Sequence, residues 1–143
     1  MFGDKVILSM LRYSQGDPLA VLLLALVLHP VILRIKEDVL TLKVNSWFLN
    51  DGLLAGKADE VTEAIRIIFE EGPRRGLHLS TEITVPGNSK SAVWSSQSAD
   101  SGDPLGLGIK PILEPGFTHL GAPVGSVDFV VRFFKPRVPP LHL

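Results

Sequence analysis

Cysteine is absent from the 143 residues of this chain. Without thiols, the chain cannot build a disulfide scaffold or a thiolate metal site. An excess of charge is also absent, because the formal net charge is -1 at pH 7. A nucleic-acid role would therefore need local basic patches, since the chain as a whole offers no basic surface to phosphates. No secretory signal pattern opens the sequence, which predicts an intracellular protein, nuclear or cytoplasmic.

Apolar residues are plentiful, with 45% hydrophobic against 20% charged residues. This composition excludes a wholly disordered chain, and the length suits one domain with a buried core. We divide the chain into a core (residues 1–85), a linker rich in Gly, Pro and Ser (86–116) and a C-terminal segment with a Pro-rich tail (117–143).

The longest apolar run lies near the N-terminus and follows a helix-start signal. Asp17 suits an N-cap and Pro18 suits the first helical position. Residues 19–33 are apolar on every side, which predicts a helix buried on most of its surface, with a kink or break at Pro30. A membrane span is the alternative. We favour a core helix and no membrane contact, because the run falls short of the roughly 20 residues that a span requires.

The next feature is an apolar hairpin pattern. Residues 39–49 and 53–56 predict two strands, and Asn50-Asp51-Gly52 between them predicts the turn, because Asn and Gly accept positive φ angles. A short strand is also expected at residues 2–9. The tripeptide at the turn is common chemistry, so an ordinary turn is the alternative to a functional one.

An amphipathic helix is predicted next, capped by Asp59 and ended by Gly72-Pro73. A third strand is predicted over residues 77–85, where polar and apolar residues alternate. The C-terminal segment predicts a strand pair that turns at Ala122-Pro123, then a helix or strand over residues 127–134. These elements together predict an α+β fold, with a small antiparallel sheet of a hairpin plus one or two strands and two helices on one face.

Four segments in this order resemble the reverse transcriptases of non-LTR retroelements, which are RNA-directed DNA polymerases. They are Gln15-Gly16-Asp17-Pro18-Leu19, Phe48-Leu49-Asn50-Asp51, residues 72–79 and His119-Leu120-Gly121-Ala122-Pro123-Val124-Gly125. The resemblance implies part of a polymerase palm that acts on RNA and DNA with Mg²⁺. By this resemblance, nucleotide or template would be bound by Gln15, Gly16, Asp17 and Pro18. A primer grip would be formed by Leu120, Gly121 and Pro123. Asp51 would be the remaining catalytic and metal-binding acid.

The chain departs from the family at the residues that carry the chemistry. Two-metal nucleotidyl transfer needs anionic oxygens, yet Asn50 stands where the family has the first acid of the hairpin. The family's upstream aspartate, fingers and thumb also have no counterpart in this sequence. We therefore expect the chain alone to be inactive.

Two alternative functions remain. The chain would be a non-catalytic module that binds nucleic acid or protein, or a retroelement remnant without a selected function. In either case, an open sheet edge would favour self-association.

Overall fold

A computed structural model describes residues 17–96 and 104–135 of the chain. Within these residues the fold is mixed α+β, as the sequence predicts, with three α-helices and three sheets of two strands each. In chain order the elements are α1 (Pro18–Asp38), β1 (Val44–Phe48), β2 (Asp51–Ala55), α2 (Ala58–Glu71), β3 (Ala92–Val93), β4 (Lys110–Pro111), β5 (Gly116–His119), β6 (Ala122–Gly125) and α3 (Val127–Phe134). The chain forms two compact units, Met1–Leu79 and Ser80–Leu143. The strand predicted at residues 2–9 and the Pro-rich tail after residue 135 lie outside the described residues.

Helix α1 begins as the sequence predicts. The Asp17 carboxylate accepts a hydrogen bond from the Leu19 backbone N–H at 2.9 Å, and Pro18 occupies the first turn. Proline at this position costs no hydrogen bond, because the first N–H groups of a helix have no partner within it. The helix then runs through Pro30 to Asp38, so the expected interruption at Pro30 does not end it.

The predicted burial of α1 is wrong. Only 22% of its most apolar 18-residue window is buried, and Leu22 and Leu26 are more than half exposed. The length argument against a membrane span is also wrong, because the 21-residue helix is long and apolar enough to cross a bilayer. Length and composition alone do not identify a span, since core helices share both properties. Burial is concentrated towards the C-terminal half, at Leu28, Val31 and Ile35.

Strands β1 and β2 form the predicted antiparallel hairpin, and one of its faces covers the core of the first unit. Side chains alternate across a strand, so Trp47 shares that face with Asn45, and Leu54 lies opposite Asn45. Trp47 and Leu54 pack against a buried cluster that α1 and α2 supply. This cluster consists of Val31, Ile35, Val39, Ala64, Ile67 and Ile68.

Helix α2 has the expected amphipathic character and ends before Gly72-Pro73, as predicted. Its start differs from the prediction, because Lys57 rather than Asp59 is the N-cap residue. The Glu60 side chain accepts a hydrogen bond from the Lys57 backbone N–H at 2.9 Å. This hydrogen bond gives the Lys57 N–H a partner, as in a capping box, although the N-cap residue has no short polar side chain.

The third strand predicted over residues 77–85 is not formed. Instead, Thr81 is fully buried and begins a turn in which its N–H donates to Thr84 Oγ1 at 2.9 Å and its carbonyl accepts from the Val85 N–H at 2.8 Å. Threonine hydroxyls can give the backbone such local partners in competition with a strand ladder. The hairpin therefore gains no third strand among the described residues.

The predicted linker contains structure of its own in the second unit. Strands β3 and β4 form a short parallel pair, and Leu107 and Ile109 are buried. Glu82 lies beside this pair: its carboxylate accepts from the Gly87 N–H at 2.8 Å and pairs with Lys110 at 2.9 Å. The hydrogen bond from the Gly87 N–H, followed by the hydrogen bond from Lys110, holds the pKa of Glu82 below its ordinary value.

Strands β5 and β6 form the predicted antiparallel pair, but the turn does not lie at Ala122-Pro123 as predicted. It lies at Leu120-Gly121, where both residues have positive φ, and Pro123 is within β6. Positive φ at both central residues is the hairpin turn that glycine favours. Residues 127–134 form helix α3, whose N-cap Ser126 accepts from the Phe129 N–H.

Candidate active-site hairpin

The tip of the β1–β2 hairpin carries the residues that the sequence singles out. Phe48 pairs with Asp51, so the two loop residues are Leu49 and Asn50, and Asp51 is the first residue of β2. The predicted turn at Asn50-Asp51-Gly52 is thus shifted by one residue, and Gly52 lies in the strand opposite Trp47. Leu49, Asn50 and Asp51 are all exposed. The tip therefore presents one amide and one carboxylate to solvent.

Backbone strain at this tip falls on leucine rather than on glycine or asparagine. Leu49 has a φ of 55°, whereas Asn50 is not among the positive-φ residues. A positive φ at only the first central residue matches a hairpin turn that normally has glycine there. A side chain in this region costs of order 1 to 3 kcal/mol, and such strain clusters at functional sites. This strain directly precedes Asn50 and Asp51.

Replacing Leu49 by glycine is expected to stabilise the first unit by about 0.5 to 1 kcal/mol. Glycine removes the steric cost of the positive φ, and this gain exceeds its larger entropy loss on folding. The lost burial of the side chain offsets part of this gain, because Leu49 is 44% exposed and the rest of it is covered. Urea denaturation followed by circular dichroism would measure the change. Leu49→Ile is the matched control and should destabilise, because a β-branched residue tolerates this region poorly. A Leu49→Gly variant less stable than the wild type would contradict the strain assignment.

The body of the hairpin is held to α1 by a short hydrogen-bond chain. The Trp47 indole Nε1–H donates to Asn45 Oδ1 at 2.7 Å, and Asn45 Nδ2 donates to the Ile32 carbonyl oxygen of α1 at 3.4 Å. The Ile32 carbonyl lies two residues after Pro30 in the middle of the helix. These contacts orient Trp47 on the core side and fix the direction in which the strands reach the tip.

Asp51 is the one anionic group that the hairpin tip offers to a metal ion. Magnesium prefers anionic oxygen ligands and near-octahedral geometry. Asp51 supplies a carboxylate, whereas Asn50 offers only a neutral carbonyl oxygen next to it. Within residues 17–96 and 104–135, no three His, Cys, Asp or Glu side chains come together as a group that could hold a metal ion. The tip alone therefore offers one anionic group where two-metal chemistry needs several.

The predicted nucleotide-binding loop is only partly described. Gln15 and Gly16 lie outside the described residues. Asp17 and Pro18 form the start of α1, where the Asp17 carboxylate is engaged with the Leu19 N–H at 2.9 Å. Asp17 thus has a structural task as a helix cap, whichever further role it has.

Two arginines follow α2, in the segment 72–79 that resembles the polymerase family, and such side chains can contact phosphates. Arg74 and Arg75 lie 3.9 and 4.0 Å from the Glu71 carboxylate, which also pairs with Arg34 of α1. The hydrogen bond to Asp38 and the charge of Glu71 raise the pKa of Arg34. These arginines therefore surround a carboxylate that offsets part of their charge, which weakens them as a phosphate site.

The three residues of the predicted primer grip lie in the second unit. Leu120 and Gly121 form the turn between β5 and β6, and Pro123 lies in β6. Asn50 and Asp51 belong to the first unit. The β5–β6 turn exposes Leu120, at 58% of its surface, as the β1–β2 turn exposes Leu49.

One residue at the hairpin escaped sequence reasoning. Trp47 lies across the ladder from Gly52, and a Cβ atom built on Gly52 would come within 2.5 Å of the indole ring. The indole thus occupies the space that a side chain at position 52 would fill. Alternation along β1 indicates the face that Trp47 occupies, but the Asn50-Asp51-Gly52 pattern predicts Gly52 in the turn and not in the strand.

Comparison with known proteins gives no assignment of family or fold. No family model matches the chain, and no curated protein or solved structure is significantly similar to it.

Proposed function

We propose that this chain is a catalytically inactive piece of a polymerase palm, related to the reverse transcriptases of non-LTR retroelements. The observation that carries the proposal is the hairpin tip: two strands rest by one face on a pair of helices and expose Asn50 and Asp51 at a strained turn. The order of the elements supports the same kinship, because a capped apolar helix precedes the hairpin and an amphipathic helix follows it.

The proposed parent chemistry is nucleotidyl transfer by two Mg²⁺ ions on an RNA or DNA primer–template. Two bound Mg²⁺ ions would supply activation of the primer hydroxyl and stabilisation of the leaving pyrophosphate. Asp51 is the residue of this chain that would contribute to such a site. Asn50 would not replace the missing acid in such a site. Its amide oxygen lacks the charge that attracts a divalent cation and balances the developing charge on phosphate.

Asn50→Asp is expected to raise the affinity of the tip for Mn²⁺ about tenfold, since it places a second carboxylate beside Asp51. Titration of free Mn²⁺ by electron paramagnetic resonance would measure this change. Asn88→Asp adds the same charge at an exposed position of the second unit and should leave the affinity unchanged. A primer-extension assay on an RNA template should show no product for any of the three proteins.

Two results would overturn the proposal. Saturable Mg²⁺ binding by the wild type, removed by Asp51→Ala, would mean that the tip is a competent metal site despite Asn50. Equal Mn²⁺ affinity in the Asn50→Asp and Asn88→Asp proteins would mean that the tip has no geometry suited to a metal, and the proposed kinship would lose its main support.

A further inference from the structure

Asp51-Gly52, at the start of β2, is the only place in the sequence where an aspartate or asparagine precedes a glycine. This pair is chemically reactive, because glycine has no Cβ to shield its backbone nitrogen or to restrict rotation of the peptide. The nitrogen can approach the carboxyl carbon of the preceding aspartate and close a five-membered ring. Both residues are exposed, so water can reach the ring and open it.

The register of the hairpin leaves the Gly52 nitrogen outside the strand ladder. A loop of two residues closes on a hydrogen-bonded pair, here Phe48 and Asp51, and hydrogen-bonded and non-hydrogen-bonded pairs alternate along antiparallel strands. Trp47 and Gly52 are therefore a non-hydrogen-bonded pair, and the Gly52 N–H points away from β1. Among the described residues, no group outside the hairpin accepts a hydrogen bond from it. The nitrogen that would close the ring is thus unengaged.

The Asp51 carboxylate and the Trp47 indole lie on opposite faces of the hairpin. Successive side chains alternate across a strand, so Asp51 shares the outer face with Phe48, whereas the indole lies on the core face beside Gly52. The indole therefore does not separate the carboxyl carbon from the nitrogen. Ring closure requires rotation of the Asp51–Gly52 peptide, which opens the pair next to the loop and leaves the inner pairs in place. Such terminal pairs open at low cost.

We propose that Asp51 is a site of spontaneous conversion to isoaspartate, through a succinimide formed with the Gly52 nitrogen. In the first step the nitrogen bonds to Asp51 Cγ, and the N–H proton and the carboxyl hydroxyl leave as water. In the second step water opens the ring. Attack at the side-chain carbonyl breaks the new bond and restores aspartate. Attack at the main-chain carbonyl breaks the original peptide bond, so that the chain now runs through Cβ and Cγ at unchanged mass.

Isoaspartate at position 51 would alter the hairpin where β2 leaves the loop. The additional main-chain carbon lengthens β2 and displaces Gly52 from its place opposite Trp47. The freed carboxylate is attached directly to Cα, and this is the group on which isoaspartyl methyltransferases act. The aged hairpin tip would therefore be a substrate for an enzyme of that class.

Ageing of the purified full chain at neutral pH and body temperature tests the proposal. Peptide mapping by mass spectrometry should show an isoaspartyl peptide of unchanged mass at position 51, which an isoaspartyl methyltransferase labels. In water enriched in heavy oxygen, both the isoaspartate and the restored aspartate should gain the isotope, as passage through the succinimide requires. Asp51→Glu keeps the charge but would need a six-membered ring, so this variant should give no product at position 51.

Glu71→Asp provides a matched comparison within one molecule. It creates a second aspartate–glycine pair, because Gly72 follows, and the Gly72 N–H donates to the Ile68 carbonyl at 2.9 Å. Since this nitrogen is engaged, position 71 should isomerise about tenfold more slowly than position 51. Circular dichroism would verify that the variant keeps its helix content.

The proposal fails in either of two cases. If the folded wild type stays unmodified while the same chain in guanidinium chloride forms isoaspartate at position 51, the hairpin protects the pair. If positions 51 and 71 react at equal rates in the folded Glu71→Asp protein, the free Gly52 N–H is not the cause. Neither result depends on the polymerase kinship, which Mn²⁺ binding tests separately.

Discussion

Ile67→Ala is expected to lower the free energy of unfolding of the first unit by about 3 kcal/mol, the largest effect that we foresee for a single substitution. Ile67 is 0% exposed and belongs to the same cluster as Val31 and Ile35 of α1. Truncation removes buried methyl groups and leaves a cavity between the two helices that the surrounding backbone cannot fill completely. Urea denaturation provides the measurement.

The two tryptophans allow the first unit to be followed alone, because Trp47 and Trp94 lie in different units. In a Trp94→Phe background, Trp47 fluorescence reports the unit that contains Ile67. Ile67→Val should cost about 1 kcal/mol, since only one methyl group is lost. Leu40→Ala should cost little, because Leu40 is 84% exposed. Equal losses for Ile67→Ala and Leu40→Ala would contradict the described core.

Gly52→Ala is expected to cost about 2 kcal/mol by overpacking the hairpin. The added Cβ would come within 2.5 Å of the Trp47 ring, closer than van der Waals contact permits. The ring cannot move away freely, because its Nε1–H is bound to Asn45 and its other face packs on the core. Either the indole or the strand must shift, and both options lose contacts.

A double-mutant cycle isolates this clash from any intrinsic effect of alanine in a strand. In a Trp47→Leu background the ring is absent, so Gly52→Ala should become nearly neutral, giving a coupling energy of about 2 kcal/mol. Circular dichroism is the suitable probe, since the fluorophore has been removed. If Gly52→Ala cost the same in both backgrounds, the indole would not lie over position 52.

Features set by a few neighbouring residues were predictable from the sequence. The Asp17 cap, the end of α2 at Gly72-Pro73 and the existence of both hairpins depend on local chemistry that the sequence displays directly. The α+β class follows from them. The exact turn positions were not predictable, because in both hairpins the register places a leucine in the loop and moves the expected turn residue into a strand.

Features that depend on distant contacts were predicted less well. The sequence alternates over residues 77–85 as a strand would, yet Thr81 satisfies its backbone locally and is buried without strand partners. The amphipathic pattern predicts helix α2 but not the width of its buried face, which includes Ile67 as well as Ala64, Ile65 and Ile68. The apolar character of α1 was clear, but composition could not tell which of its sides the rest of the unit would cover.

For the candidate site, the sequence predicted the position of Asn50 and Asp51 in the fold but not the conformation of the turn around them. Asn50 and Asp51 are exposed at a hairpin tip as expected. The strain at Leu49 was not foreseen, since leucine carries no turn signal. The metal site that the resemblance implies and the RNA and DNA partners remain predictions.

The hairpin separates the residues that fold the first unit from those that would react. Asn45, Trp47 and Leu54 attach the hairpin to the helices, whereas Leu49, Asn50 and Asp51 are exposed at its tip. Exchanging an acid for an amide at the tip would consequently leave the folding energy almost untouched. The chemistry of the tip can therefore change without a matching change in the stability of the body that carries it.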